Sequence, residues 1–196
     1  MSEVPVYGLV LSGGESKRMG RDKALLERDG QSQLAYVMAV LEPLLERVFV
    51  STRAAQKDEP ERRQFAQIID RYDDMGPLAG ILSAMDEYPE VDWLVVACDL
   101  PNIGAETIRH LLAKRSSEHP FTAYVSSHDG LPEPLCAIYR SGSGETIRPF
   151  SDEGIHCPRK ILIRSDTFLI EQLDPASLDN VNTPDDLADS VLEVAS

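Results

Sequence analysis

Apolar residues in this chain fall into short dense runs, and the stretches between the runs repeat them every three or four positions. The first dense run, Val6 to Leu11, has the length and β-branched content of a buried strand. Leu34, Val37, Met38 and Leu41 then recur at helical spacing, and Pro43 closes that helix before a strand from Val48 to Ser51. The polar stretch Arg53 to Gln64 predicts a loop with a short helix, and a short strand around Gln67 to Ile69 leads into Asp70. Proline suits a first helical turn, and Leu78, Leu82 and Met85 follow at helical spacing, so a helix is predicted from Pro77 to Tyr88. Trp93 to Cys98 is the most apolar run and reads as a central strand ending at Asp99. Downstream the pattern predicts a helix over Ala105 to Lys114 and strands over Phe121 to Ser126 and Pro134 to Tyr139. A last helix, Pro184 to Leu192, would start at Thr183 as N-cap, with Asp185 and Asp186 in its first turn. Strands of buried type alternating with helices predict an α/β fold: one domain over residues 1–196, with helices layered on a mostly parallel sheet.

Composition narrows the function classes. With 42% hydrophobic and 27% charged residues over 196 positions, the chain has the make-up of an ordinary globular domain. Its formal net charge of −14 argues against nucleic-acid binding, which relies on a basic face. No run is long and apolar enough for a membrane span, and the first residues lack the pattern of a signal peptide, so a soluble, cytoplasmic protein is expected. Cys98, Cys136 and Cys157 lie far apart without metal-ligand spacing and are expected as reduced thiols. His110, His119, His128 and His156 are scattered among polar neighbours and read as solvated surface.

One segment stands against the acidic background. Glu15 to Lys23 carries four basic residues against two acidic ones, and it follows Leu11-Ser12-Gly13-Gly14 directly after the first strand. Adjacent glycines let the backbone approach a ligand closely, so successive N–H groups point into one concavity suited to an anion. Arg18 and Lys23 would add formal charge, and a triphosphate needs both kinds of donor. Gly14 and Gly20 stand one residue too far apart for a Walker loop, and Gly13, Gly14 and Gly20 fit no register of the dinucleotide pattern. The competing reading is a plain polar connection between strand and helix. Asp99 also follows a strand, and ligands of open parallel sheets bind beyond the strands' carboxyl ends, so loop and aspartate can face one cleft. A carboxylate there either caps the turn before Pro101 or binds magnesium, which takes one or two carboxylates together with phosphate oxygens.

Four motifs in order carry a resemblance: Leu11-Ser12-Gly13-Gly14-x-Ser16-x-Arg18-Met19-Gly20-x-Asp22-Lys23, Gly76-Pro77-Leu78-Ala79-Gly80, Cys98-Asp99-Leu100-Pro101 and Asn180-Val181-Asn182-Thr183-Pro184-Asp185-Asp186-Leu187. Together they resemble the molybdenum cofactor guanylyltransferases. The first motif belongs to a broader nucleotidyltransferase superfamily with a three-layer Rossmann-like fold, and the Asn-x-Asn-Thr-Pro element is more specific. The resemblance implies transfer of GMP from GTP to the terminal phosphate of molybdenum-bearing molybdopterin, giving the guanine dinucleotide and pyrophosphate. It implies that Leu11, Ser12, Gly13 and Gly14 line the nucleotide site, Lys23 holds phosphates with Arg18 beside them, Asp70 binds the nucleoside and Asp99 ligates Mg²⁺. Asn180 and Asn182 would contact the pterin-side substrate. It further implies transient contacts with cofactor-synthesis proteins and molybdoenzymes.

The chain departs from that pattern in places. Ser12 stands where the family often has Ala, a change expected to leave the backbone path intact. Ser51-Thr52-Arg53 replaces a segment that tends to carry an Asn near the nucleoside. Glu133, in Pro132-Glu133-Pro134-Leu135, either faces the acceptor, as the resemblance implies, or is a solvated loop carboxylate. Relatives that use CTP commonly carry Ala in place of one glycine, so Gly13-Gly14 favours the larger guanine. Rival readings are a nucleotidyltransferase using CTP or another acceptor, and a non-catalytic chaperone that binds molybdopterin or nucleotide.

Overall fold

The computed structural model describes residues 4–12, 22–181 and 190–192. The chain runs through β1 (Val6–Leu11), a 3₁₀ turn (Lys23–Leu25), a small hairpin of β2 (Glu27–Arg28) and β3 (Gln31–Ser32), and α1 (Gln33–Leu41). Then come β4 (Arg47–Thr52), two 3₁₀ turns (Ala54–Gln56 and Arg62–Gln64), β5 (Gln67–Ile69), α2 (Pro77–Glu87), β6 (Asp92–Ala97) and α3 (Ala105–Ala113). The remainder is β7 (Phe121–Val125), β8 (Pro132–Tyr139), α4 (Gly144–Asp152), α5 (Pro158–Ile163), β9 (Thr167–Ile170) and a 3₁₀ turn (Pro175–Leu178).

Seven strands form one sheet in the order β5-β4-β1-β6-β8-β7-β9. β5, β4, β1 and β6 are mutually parallel, β8 is antiparallel to both its neighbours, and β7 and β9 are parallel to each other. All six residues of β6 are buried, as expected of a central strand covered on both faces. Strand alternation sends Val10, Val50, Leu94 and Val96 to one face, against α1 and α3. Leu9, Phe49, Trp93 and Val95 go to the other, against α2, α4 and α5. The result is the expected three-layer α/β arrangement with a mostly parallel sheet. No helix among the described residues is long and apolar enough to cross a membrane.

Helix α1 forms where the periodicity placed it. Leu34, Val37, Met38 and Leu41 are buried, each fixed by about 1.5–3 kcal/mol of apolar burial, and the Ser32 hydroxyl accepts the Ala35 N–H at 3.0 Å as its cap. Strands β4, β6 and β8 and helices α2 and α3 match their predicted counterparts to within two residues. The last helix differs. Its Thr183 cap and first turn lie outside the described residues, but Ser190, Val191 and Leu192 are non-helical. There the Ser190 hydroxyl accepts the Leu192 N–H at 3.1 Å, a local bond that replaces a helical one, and Leu192 packs with Leu26 and Val181. The periodicity also missed α4, α5 and β9. Helix α4 has only Ile147 and Phe150 as large apolar residues and contains Pro149, while α5 and β9 are too short to show a period.

Helix α2 packs tightly on the ends of β1 and β4. A Cβ on Gly80 would stand 2.1 Å from the Ser51 Oγ and 3.0 Å from Leu11 Cδ2, so the helix approaches this closely because residue 80 has no side chain. Gly80→Ala is expected to cost about 1–3 kcal/mol of stability, as overpacked sites do. Adding Ser51→Ala, which removes the worst contact, should recover part of that loss. Urea unfolding of the two variants checks both statements.

Candidate active site

Parallel pairing brings the carboxyl ends of four strands to one edge. Leu11 lies level with Ser51 on one side and Ala97 on the other, and Thr52 lies level with Ile69. The residues that follow, Ser12, Arg53, Asp70 and Asp99, therefore emerge together along that edge. A cavity of about 840 Å³ opens there, with Leu11, Ser12, Ser51, Arg53, Asp70 and Asp99 in its wall. The Ser51 hydroxyl donates to Asp70 Oδ1 at 2.8 Å, and the Asp70 N–H donates to the Thr52 carbonyl at 2.9 Å. Burial holds the Asp70 carboxyl above the usual carboxylate range, opposed by the Ser51 hydrogen bond and the Arg53 charge.

The reversed direction of β8 supplies a second cavity of about 500 Å³. Cys136 is level with Val96, so the start of β8 runs on past the end of β6, beside Asp99. Glu133, Pro134, His156, Arg159 and Asn180 line this second space together with Asp99. Arg159 donates to Glu133 Oε2 at 2.8 Å and to Asp129 Oδ2 at 3.0 Å, so Glu133 is a half-buried member of an ion-paired cluster. Burial pushes the Cys136 thiol up to about 12, which keeps it protonated and unreactive. Asp74, Met75, Gly76, Pro77 and Asp99 belong to both walls. Gly76, at φ +56°, makes the turn into α2, so that helix's positive end looks onto the boundary between the cavities.

The turn that carries Asp99 is pinned from several sides. The Val181 N–H donates to the Asp99 carbonyl at 3.1 Å, Gln33 Nε2 to the Leu100 carbonyl at 3.1 Å, and the Tyr36 hydroxyl to the Ile103 carbonyl at 2.8 Å. Arg28 donates to the Pro101 carbonyl. Nearly every carbonyl of the turn is thereby occupied by a group from outside it, which fixes where the Asp99 carboxylate stands. The described wall of the larger cavity carries the carboxylates of Asp22, Asp70, Asp73, Asp74 and Asp99 against the single guanidinium of Arg53. A triphosphate entering it needs added cations. No group of three or more metal-ligating side chains occurs among the described residues. Asp99, a carboxylate held in place beside phosphate-sized space, fits magnesium carried in with a nucleotide.

Leu11, Ser12, Asp70 and Asp99 are thus brought to one cavity, and Asn180 and Asp99 to the adjoining one. Gly13, Gly14, Arg18, Asn182 and the side chain of Lys23 lie outside the described residues. Two of the histidines are not the solvated surface the sequence suggested: His156 lines the second cavity, and His110 meets the Tyr124 hydroxyl at 3.0 Å. All three cysteines are free, as expected. Sequence reasoning overlooked Arg159, which carried no motif, and Arg62, whose one signal was a Glu59-x-x-Arg62 spacing that resembles any surface pair. Arg62 is 0% exposed and reaches Ser12 and Asp22.

Comparison with known proteins agrees with this geometry. Over 186 residues the chain is 37% identical to the molybdenum cofactor biosynthesis bifunctional protein of Synechocystis sp., an alignment covering 95% of the chain and 54% of that protein. It therefore spans about half the length of that relative. It is also 37% identical to a probable molybdenum cofactor guanylyltransferase of Bacillus cereus, over 71% of the chain and 70% of that protein. The solved structure of molybdopterin-guanine dinucleotide biosynthesis protein A from Archaeoglobus fulgidus superposes with a TM-score of 0.77 at 24% identity, covering 93% of this chain and 95% of that one, a likeness of fold. Residues 8–168 match the MobA-like NTP transferase domain. With a nucleotide-sized cavity at the carboxyl edge of its sheet and a matched segment covering most of its length, the chain belongs to the MobA-like NTP transferase family of nucleotidyltransferases.

Proposed function

We propose that this chain transfers GMP from GTP to the terminal phosphate of molybdenum-bearing molybdopterin, releasing pyrophosphate. The observation that carries the reading is the position of Asp99, in the wall of both cavities at once. The larger space, under the ends of β1, β4 and β5, takes the nucleotide. The smaller one, between the start of β8 and α5, takes the acceptor. A group transferred from one to the other crosses beside Asp99. The names of the Synechocystis and Bacillus relatives support the choice of acceptor and nucleotide.

In this reading an oxygen of the acceptor's terminal phosphate attacks the α-phosphorus of GTP. A new P–O–P link forms as the bond from the α-phosphorus to the bridging oxygen breaks, and pyrophosphate leaves with that electron pair. The attacking phosphate is already anionic, so no general base is required. Catalysis is then a matter of alignment and charge. Asp99 would hold the Mg²⁺, which supplies charge neutralisation on the phosphates when bound. Lys23 and Arg18 act on the same phosphates, Leu11 to Gly14 line the nucleotide site, Asp70 holds the nucleoside, and Asn180 and Asn182 position the acceptor. The paired Gly13 and Gly14 leave room for guanine, whose donors and acceptor bare backbone can read. In the same reading the protein works in the cytoplasm, and its contacts with other cofactor-synthesis proteins and molybdoenzymes are transient.

Pyrophosphate release by the purified protein with Mg²⁺ and each of GTP, CTP and ATP, with and without molybdopterin, tests the reading. Release should require molybdopterin and favour GTP. Comparable turnover with the three nucleotides would remove the guanine assignment, and GTP binding without any release would favour the chaperone. A folded Asp99→Ala variant should lose at least ~10²-fold in turnover, the scale of one preorganised electrostatic group. For Asp70 the expectation concerns stability as well. Because its folded pKa lies above the unfolded one, its contribution is fully present below the ordinary carboxylate value and is lost as pH rises through the raised one. Asp70→Asn should therefore flatten that part of the stability profile and leave neutral-pH stability no lower, while raising KM for GTP. Denaturant melts across the acid range, set beside steady-state kinetics, measure both, and a variant less stable at neutral pH contradicts the account.

A further inference from the structure

The buried guanidinium of Arg62 is used by no step above, yet its contacts meet at the two ends of the glycine-rich segment. Nε donates to Ser12 Oγ at 3.1 Å, and Nη2 donates both to the Ser12 carbonyl and to Asp22 Oδ2, each at 2.7 Å. Nη1 donates to Glu59 Oε2 at 3.2 Å. In sequence Ser12 directly precedes Gly13-Gly14, and Asp22 directly precedes Lys23. Asp22 in turn accepts the Ala24 N–H on Oδ1 at 3.1 Å and the Leu25 N–H on its carbonyl at 3.1 Å, so it also opens the turn on which Lys23 stands. One planar, fully buried cation therefore fixes Ser12, Asp22 and the following turn. A fully buried charge needs such partners, and Asp22 and Glu59 supply two carboxylates.

Ser12 is part of the same device. Its hydroxyl donates to the Ser51 carbonyl at 3.0 Å while accepting from Arg62, so it bridges β4 to the guanidinium in a way that Ala at this position could not. The substitution expected to be neutral is thus tied to a residue fifty positions away.

We propose that Arg62 is a positioning residue of the nucleotide site: acting through Ser12 and Asp22, which both line the larger cavity, it fixes that part of the wall before nucleotide arrives. This rests on the reading of that cavity as the nucleotide site. Its consequence is selective, because Ser12 and Asp22 flank in sequence the basic residues assigned to the phosphates, whereas Asp70, assigned to the nucleoside, keeps its own anchor on Ser51.

The test measures binding of GTP with Mg²⁺ and of guanosine to the full chain by calorimetry or ligand competition, for the native protein, Ser12→Ala, Arg62→Lys and Arg62→Met. Ser12→Ala deletes the hydroxyl's two hydrogen bonds, only one of them to Arg62, and is expected to weaken GTP about 2- to 10-fold, the scale of one net hydrogen bond. Arg62→Met is expected to weaken it on the order of 10²-fold, as misplaced binding groups do. Arg62→Lys keeps the charge beside Asp22 and Glu59 without spanning to Ser12, and should fall between the two. Guanosine affinity should fall far less than GTP affinity throughout, and Ser12→Ala should add little in the Arg62→Lys background. Should Arg62→Met fail to fold, Ser12→Ala and Arg62→Lys still decide the matter. Unchanged GTP affinity, or equal losses for GTP and guanosine, overturns the positioning role while leaving the nucleotide site intact. A native protein that binds no GTP overturns the nucleotide-site reading, and the inference with it.

Discussion

β1 is hydrogen-bonded in parallel to β4 on one side and to β6 on the other, with Leu11 level with Ser51 and Ala97. Because all three strands run the same way and stop together, the chain must turn away from the sheet three times at one edge. The chemistry-bearing residues Ser12, Arg53 and Asp99 are the first ones free of the ladder. From β1 the chain adds strands outward through β4 and β5, then crosses over to β6 on the opposite side. That change of direction leaves a crevice between the loops, and a ligand fits it without displacing any helix. The close seat of α2, permitted by Gly80, sets one wall of the crevice, and Asp70 on its Ser51 hydrogen bond sets another.

The second half of the chain adds what a purely parallel sheet would lack. β8 enters the sheet from the opposite end, so its first residues, not its last, lie beside Asp99. Pairing with β7 jumps from Ala137 to Glu133, so Pro134 to Cys136 are free of that ladder. Proline at 134 has no N–H to leave unsatisfied there. Its carbonyl accepts the Tyr139 hydroxyl at 2.9 Å, which holds the irregular stretch against the sheet. The antiparallel strand thus places a second cavity alongside the first, and the two share the Asp99 turn. A transfer between two bound molecules requires such adjacency, and here it follows from one strand reversal.

What could be read in the sequence follows the strength of the local signal. The buried strands and α1 to α3 were legible because burial on a full face imposes a period, and Asp99 was legible because a carboxylate directly after six buried residues has no packing role. Asp70 was reached through resemblance alone, since its significance depends on the parallel pairing of β4 and β5, which no local pattern encodes. Helices α4 and α5 and strand β9 escaped because they are short or mostly polar, and α5 and β9 owe their form to packing on β8 and pairing with β7. Arg62 escaped for a different reason. It sits in a charged stretch between Glu59 and Gln64 whose composition is that of a surface loop, and tertiary pairing with Ser12 and Asp22, not sequence, makes it interior.

Electrostatics then constrains how such a site can work. The net charge is −14, and the described wall of the larger cavity is itself rich in carboxylates. Coulomb repulsion would hold off a bare triphosphate, since like charges a few ångströms apart in a partly desolvated space oppose each other by several kcal/mol. In the proposed reading a triphosphate is therefore admitted when it arrives with a divalent cation. Arg62 does not relieve that repulsion, because Asp22 and Glu59 already neutralise it. Its value lies in rigidity: a cation with both counter-charges built in can be buried completely, and a buried, fully hydrogen-bonded fork is a firmer anchor for Ser12 and Asp22 than any solvated pair.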